Sequence, residues 1–170
     1  SAPGKLEGGD IVWIDKHNIA VGIGYRSNIE GAKQLGEILS GIVKNVIPVP
    51  LPHWNGPSDC LHLMSNLSPI DFNLFLVYSR LLPVQFIQYL EENKIELIEV
   101  PFEEYETMAC NVLAIAPREV IMLEGNPITK KLLEKENVLV HTYKGSEISL
   151  KGAGGPTCLT KPLLRSLPSD

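Results

Sequence analysis

An internal period constrains this chain more than any other feature. Two β-rich runs, a helix and a further extended run recur about every 50 residues. In the first unit, runs at 11–15 and 19–23 are joined like a hairpin across a turn at 16–18. Ser27 with Glu30 three residues on reads as a capping box, and Ile29, Ala32, Leu35, Ile38, Leu39 and Ile42 keep helical spacing. An extended run at 46–50 closes the unit. The second unit has predicted strands at 61–64 and 74–78, a helix opened by Pro83 with Phe86, Ile87 and Leu90 on its apolar face, and a run at 95–101. The third has strands at 112–115 and 120–123, a helix over 127–136 and a run at 138–140. The units span about 6–52, 58–104 and 109–165. Such a unit cannot bury its own apolar face, so the copies must pack on one another as a single domain. The tail from 145 to 170, richer in Gly and Pro, reads as loop plus a short last strand. The class is α/β, and an ordinary α/β sandwich would produce the same alternation.

Composition removes several function classes. The 170 residues carry a net charge of −5, only 6% aromatics and no basic run longer than Lys130-Lys131. That excludes the basic stripe and stacking platform of a nucleic-acid binder. No apolar run approaches the ~18–20 residues of a membrane span, and residues 1–5 show no signal-peptide core. The three cysteines, Cys60, Cys110 and Cys158, form neither a disulfide framework nor a zinc knuckle. They point to a reducing compartment, the cytoplasm, and to a reactive thiol.

Four features can carry chemistry. Glu7-Gly8-Gly9-Asp10 brackets two glycines with two acids just before a strand: a grip for a cation, or a plain turn. His62 lies between Leu61 and Leu63. In a strand its ring points away from both leucines, toward a site or as a satisfied structural residue. Cys158 follows the glycine-rich 152–156 segment, where backbone N–H groups and a histidine would favour its thiolate; the alternative is an inert buried thiol. Cys110 and Cys60 fit that inert role better. Cys60-Leu61-His62 offers two metal donors without further partners, a weak metal pattern. Arg26 can bind a carboxylate bidentately or form a surface ion pair. The Gly22-Ile23-Gly24 pair lacks the third glycine of a dinucleotide fingerprint.

Taken in order, the segments 6–23, Arg26-Ser27-Asn28, Leu61-His62-Leu63, the 109–114 segment containing Asn111, and 154–160 with Pro162 and Arg165 resemble the guanidine-modifying enzymes. These comprise the arginine deiminases, dimethylarginine dimethylaminohydrolases and amidinotransferases. The resemblance implies a pentein-like five-bladed α/β propeller, of which these modules are a part. It implies that Cys158 attacks a guanidinium carbon, that His62 is the general acid/base, and that Glu7 orients the histidine and binds guanidinium nitrogens. Arg26 would grip the substrate α-carboxylate, Asp10 would support the Gly-Gly turn, and Asp10 and Asn111 belong with Arg26 on the substrate-binding side. No cofactor or metal is implied.

Three departures refine the expectation. Arginine deiminases carry an Asp two residues after the histidine, where this chain has Met64, and an Arg before the Gly-Gly, where it has Ala153. The chain begins almost at Glu7, without the family's upstream modules and their further acid. Three modules cannot close a ring of five, so the expectation is a longer protein, a partner polypeptide or self-association. The expected activity is C–N hydrolysis of a methylated arginine or arginine through a covalent Cys158 intermediate, dimethylarginine dimethylaminohydrolase-like first. Arginine deiminase and amidinotransferase are the alternatives. A non-catalytic binding module is the reading from another class.

Overall fold

Each sequence unit folds into its own three-stranded sheet with the second strand in the middle. The computed structural model describes residues 1–160 and 162. In the first sheet, β1 (Ile11–Trp13) pairs antiparallel with β2 (Asn18–Ile23), which pairs parallel with β3 (Asn45–Pro50). A parallel neighbour requires a crossover, and α1 (Ile29–Ile38) supplies it. Pro48 and Pro50 are tolerated in β3 because it is an edge strand. The one-turn helix α2 (Leu63–Asn66) leads into the second sheet: β4 (Leu67–Asp71), β5 (Leu74–Val77) and, after α3 (Val84–Glu92), β6 (Glu96–Glu99). The short α4 (Phe102–Tyr105) leads to β7 (Leu113–Ala116), β8 (Glu119–Leu123), α5 (Pro127–Lys135) and β9 (Leu139–Tyr143) with the same pairing. Two helical turns, α6 (Ser149–Gly152) and α7 (Pro156–Leu159), follow.

β5 explains why the copies pack together. All four of its residues are buried. Leu74 and Leu76 join a core with Val112, Val120, Met122 and Leu133 of the third unit. Phe75 and Val77, on the opposite face, join Val12 and Ala20 of the first unit together with Phe86 and Leu90 of α3. The period-2 alternation of a strand thus places one core on each side of the second sheet. Polar ties reinforce the second junction. The Ser68 hydroxyl donates to the Cys110 carbonyl at 2.6 Å and accepts from the Val112 amide at 3.2 Å. The Arg118 amide donates to the Ile70 carbonyl at 3.2 Å, and its Nε pairs with Asp71 at 2.9 Å.

Three local expectations are corrected. Residues 61–64 are not a strand; His62 is the N-cap of α2, and its amide donates to the Ser65 hydroxyl at 3.2 Å. Four alternating residues are too few to separate a strand from a capped helical turn. Ser27 does not cap α1. Asn28 does, accepting from the Gly31 amide at 2.9 Å, because Asp10 takes the Ser27 hydroxyl at 2.6 Å. α1 ends at Ile38, which leaves Ile42 beyond it. In the tail the described residues form helical turns, and the expected last strand and Arg165 lie outside the described residues. Three sheets with helices are observed among the described residues.

Candidate active site

The loop before β1 and the loop before β4 meet end to end. Glu7 precedes a 3-10 turn, Gly8–Asp10, that turns the chain into β1. Asp10 at its end is 1% exposed, and both carboxylate oxygens are used inside the protein, one by the Ser27 hydroxyl and the other by the Leu63 amide at 3.0 Å. This carboxylate therefore ties the first turn, the start of α1 and the start of α2 into one corner. Burial pushes its pKa up, against those two hydrogen bonds. Gly9 lies so close to the neighbouring loop that a Cβ there would stand 2.7 Å from His62 Cγ.

That corner sets the imidazole beside the glutamate. Glu7 Oε2 is 2.7 Å from His62 Nε2, and Arg26 Nε donates to Glu7 Oε1 at 3.0 Å. The contact with His62 lowers the Glu7 pKa, assisted by Arg26 and opposed by burial. A carboxylate held ionised only accepts, so Nε2 carries a hydrogen toward Glu7. Nδ1 faces Cys60 Sγ at 3.7 Å.

Cys158 is built from the other end of the chain. α7 opens with Gly155 and Pro156, and Cys158 sits exposed in its single turn. Asn111, 6% exposed, donates through Nδ2 to Cys158 Sγ at 3.0 Å. Its Oδ1 accepts from the Thr157 amide and hydroxyl at 2.9 and 2.7 Å. One buried amide thus fixes both the thiol and the turn that bears it. A Cβ at Gly155 would stand 2.5 Å from Asn111 Cγ, so the close approach needs glycine. The tail thiol shares its electrostatic neighbourhood with the second-unit loop. Partial burial is the main cause raising the Cys60 pKa; Arg26 lowers it, and Glu7 and Cys158 raise it further.

Glu7, His62, Arg26 and Asp10 thus form one cluster, and Asn111 attaches to Cys158. Asp10 and Asn111 spend their polar atoms on positioning within the protein. The sequence reading set Cys60 with the inert, buried thiols; it is exposed, with Sγ 3.7 Å from His62 Nδ1. The only signal was its C-x-H spacing to His62. Cys110 is the inert thiol, 1% exposed with its pKa pushed up by burial. Two shallow depressions, one near Asp15, His17 and Phe72 and the other near Ala32, Gly36 and Val46, include none of the clustered residues. The chemistry, rather than cavity size, marks the site.

The Glu7–His62 pair and the Asn111-bound thiol of Cys158 are the residue types that nucleophilic substitution at an electron-poor carbon requires. The family model for arginine deiminase matches residues 1–85 and 81–165. The chain belongs to the arginine deiminase family, within the guanidine-modifying superfamily. Arginine deiminase of Limosilactobacillus reuteri is 27% identical over 199 aligned positions, covering 95% of this chain and 47% of that protein. The uncharacterized protein YkgA of Bacillus subtilis is 33% identical, covering 95% of this chain and 53% of its own length. The chain therefore spans about half the length of the curated relatives it matches. Among solved structures, a cysteine-to-serine mutant of the Pseudomonas aeruginosa dimethylarginine dimethylaminohydrolase, complexed with citrulline, superposes with a TM-score of 0.69 at 28% identity. It is covered over 55% of its length by 92% of this chain. The N-terminal domain of the cyanobacterial arginine dihydrolase ArgZ shares the fold, with a TM-score of 0.76 at 21% identity, covering 97% of this chain and 60% of that one. No helix among the described residues is long and apolar enough to cross a membrane.

Proposed function

We propose that this chain carries the catalytic machinery of a hydrolase that cleaves a C–N bond of a guanidine, a methylated arginine or arginine. The observation that carries the reading is the 2.7 Å contact between Glu7 and His62, made across 55 residues of chain. Guanidinium is planar, cationic and a poor electrophile, so it must be held, attacked and protonated in one place. Glu7 accepts from its nitrogens. The Cys158 thiolate, oriented by Asn111, attacks the central carbon. The bond to the departing amine breaks as His62, which has taken the Cys158 thiol proton, donates it to that nitrogen, leaving an S-linked thiouronium on Cys158. Water then adds to the same carbon, His62 takes its proton, and the C–S bond breaks to release a ureido product and the thiolate. Arg26, at the rim of the cluster, binds the substrate carboxylate.

Met64 and the Leu-His-Leu setting favour methylated arginine, in line with the solved relative at 28% identity. The family model and the curated relatives favour arginine itself. The three sheets are modules of a propeller whose remaining modules come from another stretch of polypeptide, a partner or a second copy, consistent with relatives twice as long. The test is product analysis with dimethylarginine and with arginine, by the full chain alone and with the missing half of a relative added. Citrulline with dimethylamine identifies the first substrate and citrulline with ammonia the second. No ureido product from either, under both conditions, contradicts the reading.

A further inference from the structure

Arg26 stands between two cross-links. On one side its Nε donates to Glu7 at 3.0 Å, and Glu7 meets His62. On the other, the hydroxyl of the adjacent Tyr25 and His53 Nδ1 lie 2.6 Å apart, a hydrogen bond in either tautomer. Tyr25 and Arg26 are the central residues of a turn in which the Gly24 amide donates to the Ser27 carbonyl at 2.9 Å. Asp10 holds the Ser27 end of that turn at 2.6 Å, and His53 holds the Tyr25 side chain. His53 belongs to the strap that joins β3 to α2. The strap begins where the Leu51 amide donates to the Ile23 carbonyl at 2.8 Å, and it ends at His62. Turn and strap are therefore tied at three points: Ile23 to Leu51, Tyr25 to His53, and Arg26 through Glu7 to His62. The strap is shaped to present His53. The Gly56 amide donates back to the His53 carbonyl at 2.8 Å, and Gly56 takes φ +95° to do so. Trp54 adopts φ +41°, a left-handed conformation that costs a bulky residue, and its ring meets Tyr105 edge-on with centroids 6.3 Å apart. Such strain persists only where the surroundings hold it, and it clusters in functional segments. Core filling does not explain the arrangement, since Tyr25 is 53% exposed and His53 is exposed as well.

We propose that Tyr25 and His53 are positioning residues that select substrates by their carboxylate: their hydrogen bond clamps the 24–27 turn to the strap and so aims the Arg26 guanidinium. The inference rests on the hydrolase reading, which puts the substrate carboxylate at Arg26, and it names the pair that makes this grip selective. With Nε spent on Glu7, the other N–H donors of Arg26 form the fork offered to a carboxylate. A two-pronged grip depends on the plane of that fork. The Glu7 contact fixes one point of the plane, and the clamp on the neighbouring residue fixes its orientation. A guanidine bearing a carboxylate gains from the aimed fork, whereas the same guanidine without one does not. The pair takes no part in attack or proton transfer, so its loss appears in substrate affinity rather than in turnover.

The experiment compares arginine and dimethylarginine with agmatine, the decarboxylated counterpart of arginine. Binding is measured by calorimetry on the full chain carrying Cys158→Ser, alone and with the missing half of a relative added, and turnover is measured with Cys158 intact. Tyr25→Phe and His53→Ala are each expected to weaken binding of the two amino acids, and to raise KM, by about 10-fold, with kcat within about 2-fold and agmatine binding unchanged. His53→Asn, which keeps a hydrogen-bonding atom close to the place of Nδ1, is expected to recover most of that loss. Labelling of Cys158 by chloroacetamidine, which has no carboxylate, is expected to proceed alike in all these variants. Equal losses for the amino acids and agmatine, no loss for either, or a fall in kcat at unchanged KM overturns the clamp. No binding of either amino acid before substitution, with or without the added half, overturns the clamp together with the hydrolase reading. Amino-acid binding that responds to both substitutions, without turnover under either condition, upholds the clamp and contradicts the hydrolase reading alone.

Discussion

Glu7 and Asp10 are separated by two glycines, yet their environments push their pKa values in opposite directions. Glu7 keeps its charge because His62 and Arg26 surround it, and its pKa falls below the usual 4.5. Asp10 is desolvated and its pKa rises. For a carboxyl group depressed in the folded state, the stabilisation is complete above the ordinary value and is lost as pH falls through the lowered one. Glu7→Gln should therefore lower thermal stability most at neutral pH, and the difference should vanish well below pH 4.5. With the side chain 38% exposed, screening keeps the effect to on the order of 1 kcal/mol. Melting curves of both proteins across pH check this. Asp10→Ala strands the buried Leu63 amide and should cost about 1–3 kcal/mol. That corresponds to a fall of roughly 2–10 °C in Tm for a domain of this size. Asp10→Asn keeps an oxygen for that amide and removes the burial of charge, so it should stay within about 1 kcal/mol of wild type. Chemical denaturation separates the two variants.

At the scale of elements, β4 was placed at 61–64 instead of Leu67–Asp71, whereas the other strands, the crossovers and α1, α3 and α5 were legible because they carry their own hydrophobic pattern. The segments that hold the site were not. His62 was read into a strand, whereas it caps a one-turn helix; Ser27 was read as a cap, whereas it serves Asp10. Both errors arise where a tertiary partner outcompetes the local one, and no sequence window contains that partner. The residue types at the site were legible as a set. The Asn111 contact to Cys158 and the Cys60 contact to His62 were not, since the first spans 47 residues and the second depends on how the loop turns. The meeting of the two loops makes a direct prediction. Gly9→Ala puts a methyl 2.7 Å from His62 Cγ, so the ring must move. The variant should lose about 100-fold in kcat/KM with little change in Tm, because an ångström of misplacement is felt by catalysis before stability. Equal loss of both would assign the glycine to folding instead.

Across the whole molecule, the second sheet is the hub. It carries one core on each face, and the proposed site joins the Glu7–His62 pair, made between the first unit and the second-unit loop, to the tail thiol. Arg118 secures one side by pairing with Asp71 and donating Nη1–H to the Glu136 carbonyl at 2.5 Å. Arg118→Ala removes a partly buried charge pair and a carbonyl's partner. It should lower stability by about 1–3 kcal/mol while leaving the reactivity of Cys158 unchanged. Denaturation and thiol labelling of the same sample read the two effects separately.

The unity of that proposed site is tested most directly by site-resolved alkylation with chloroacetamidine, a guanidine-like electrophile, followed by peptide mass spectrometry. The account predicts that Cys158 is modified far ahead of Cys60 and Cys110, and that His62→Ala and Glu7→Gln each slow the reaction by at least about 10-fold. Equal and slow modification of Cys60 and Cys158, indifferent to both substitutions, would contradict it.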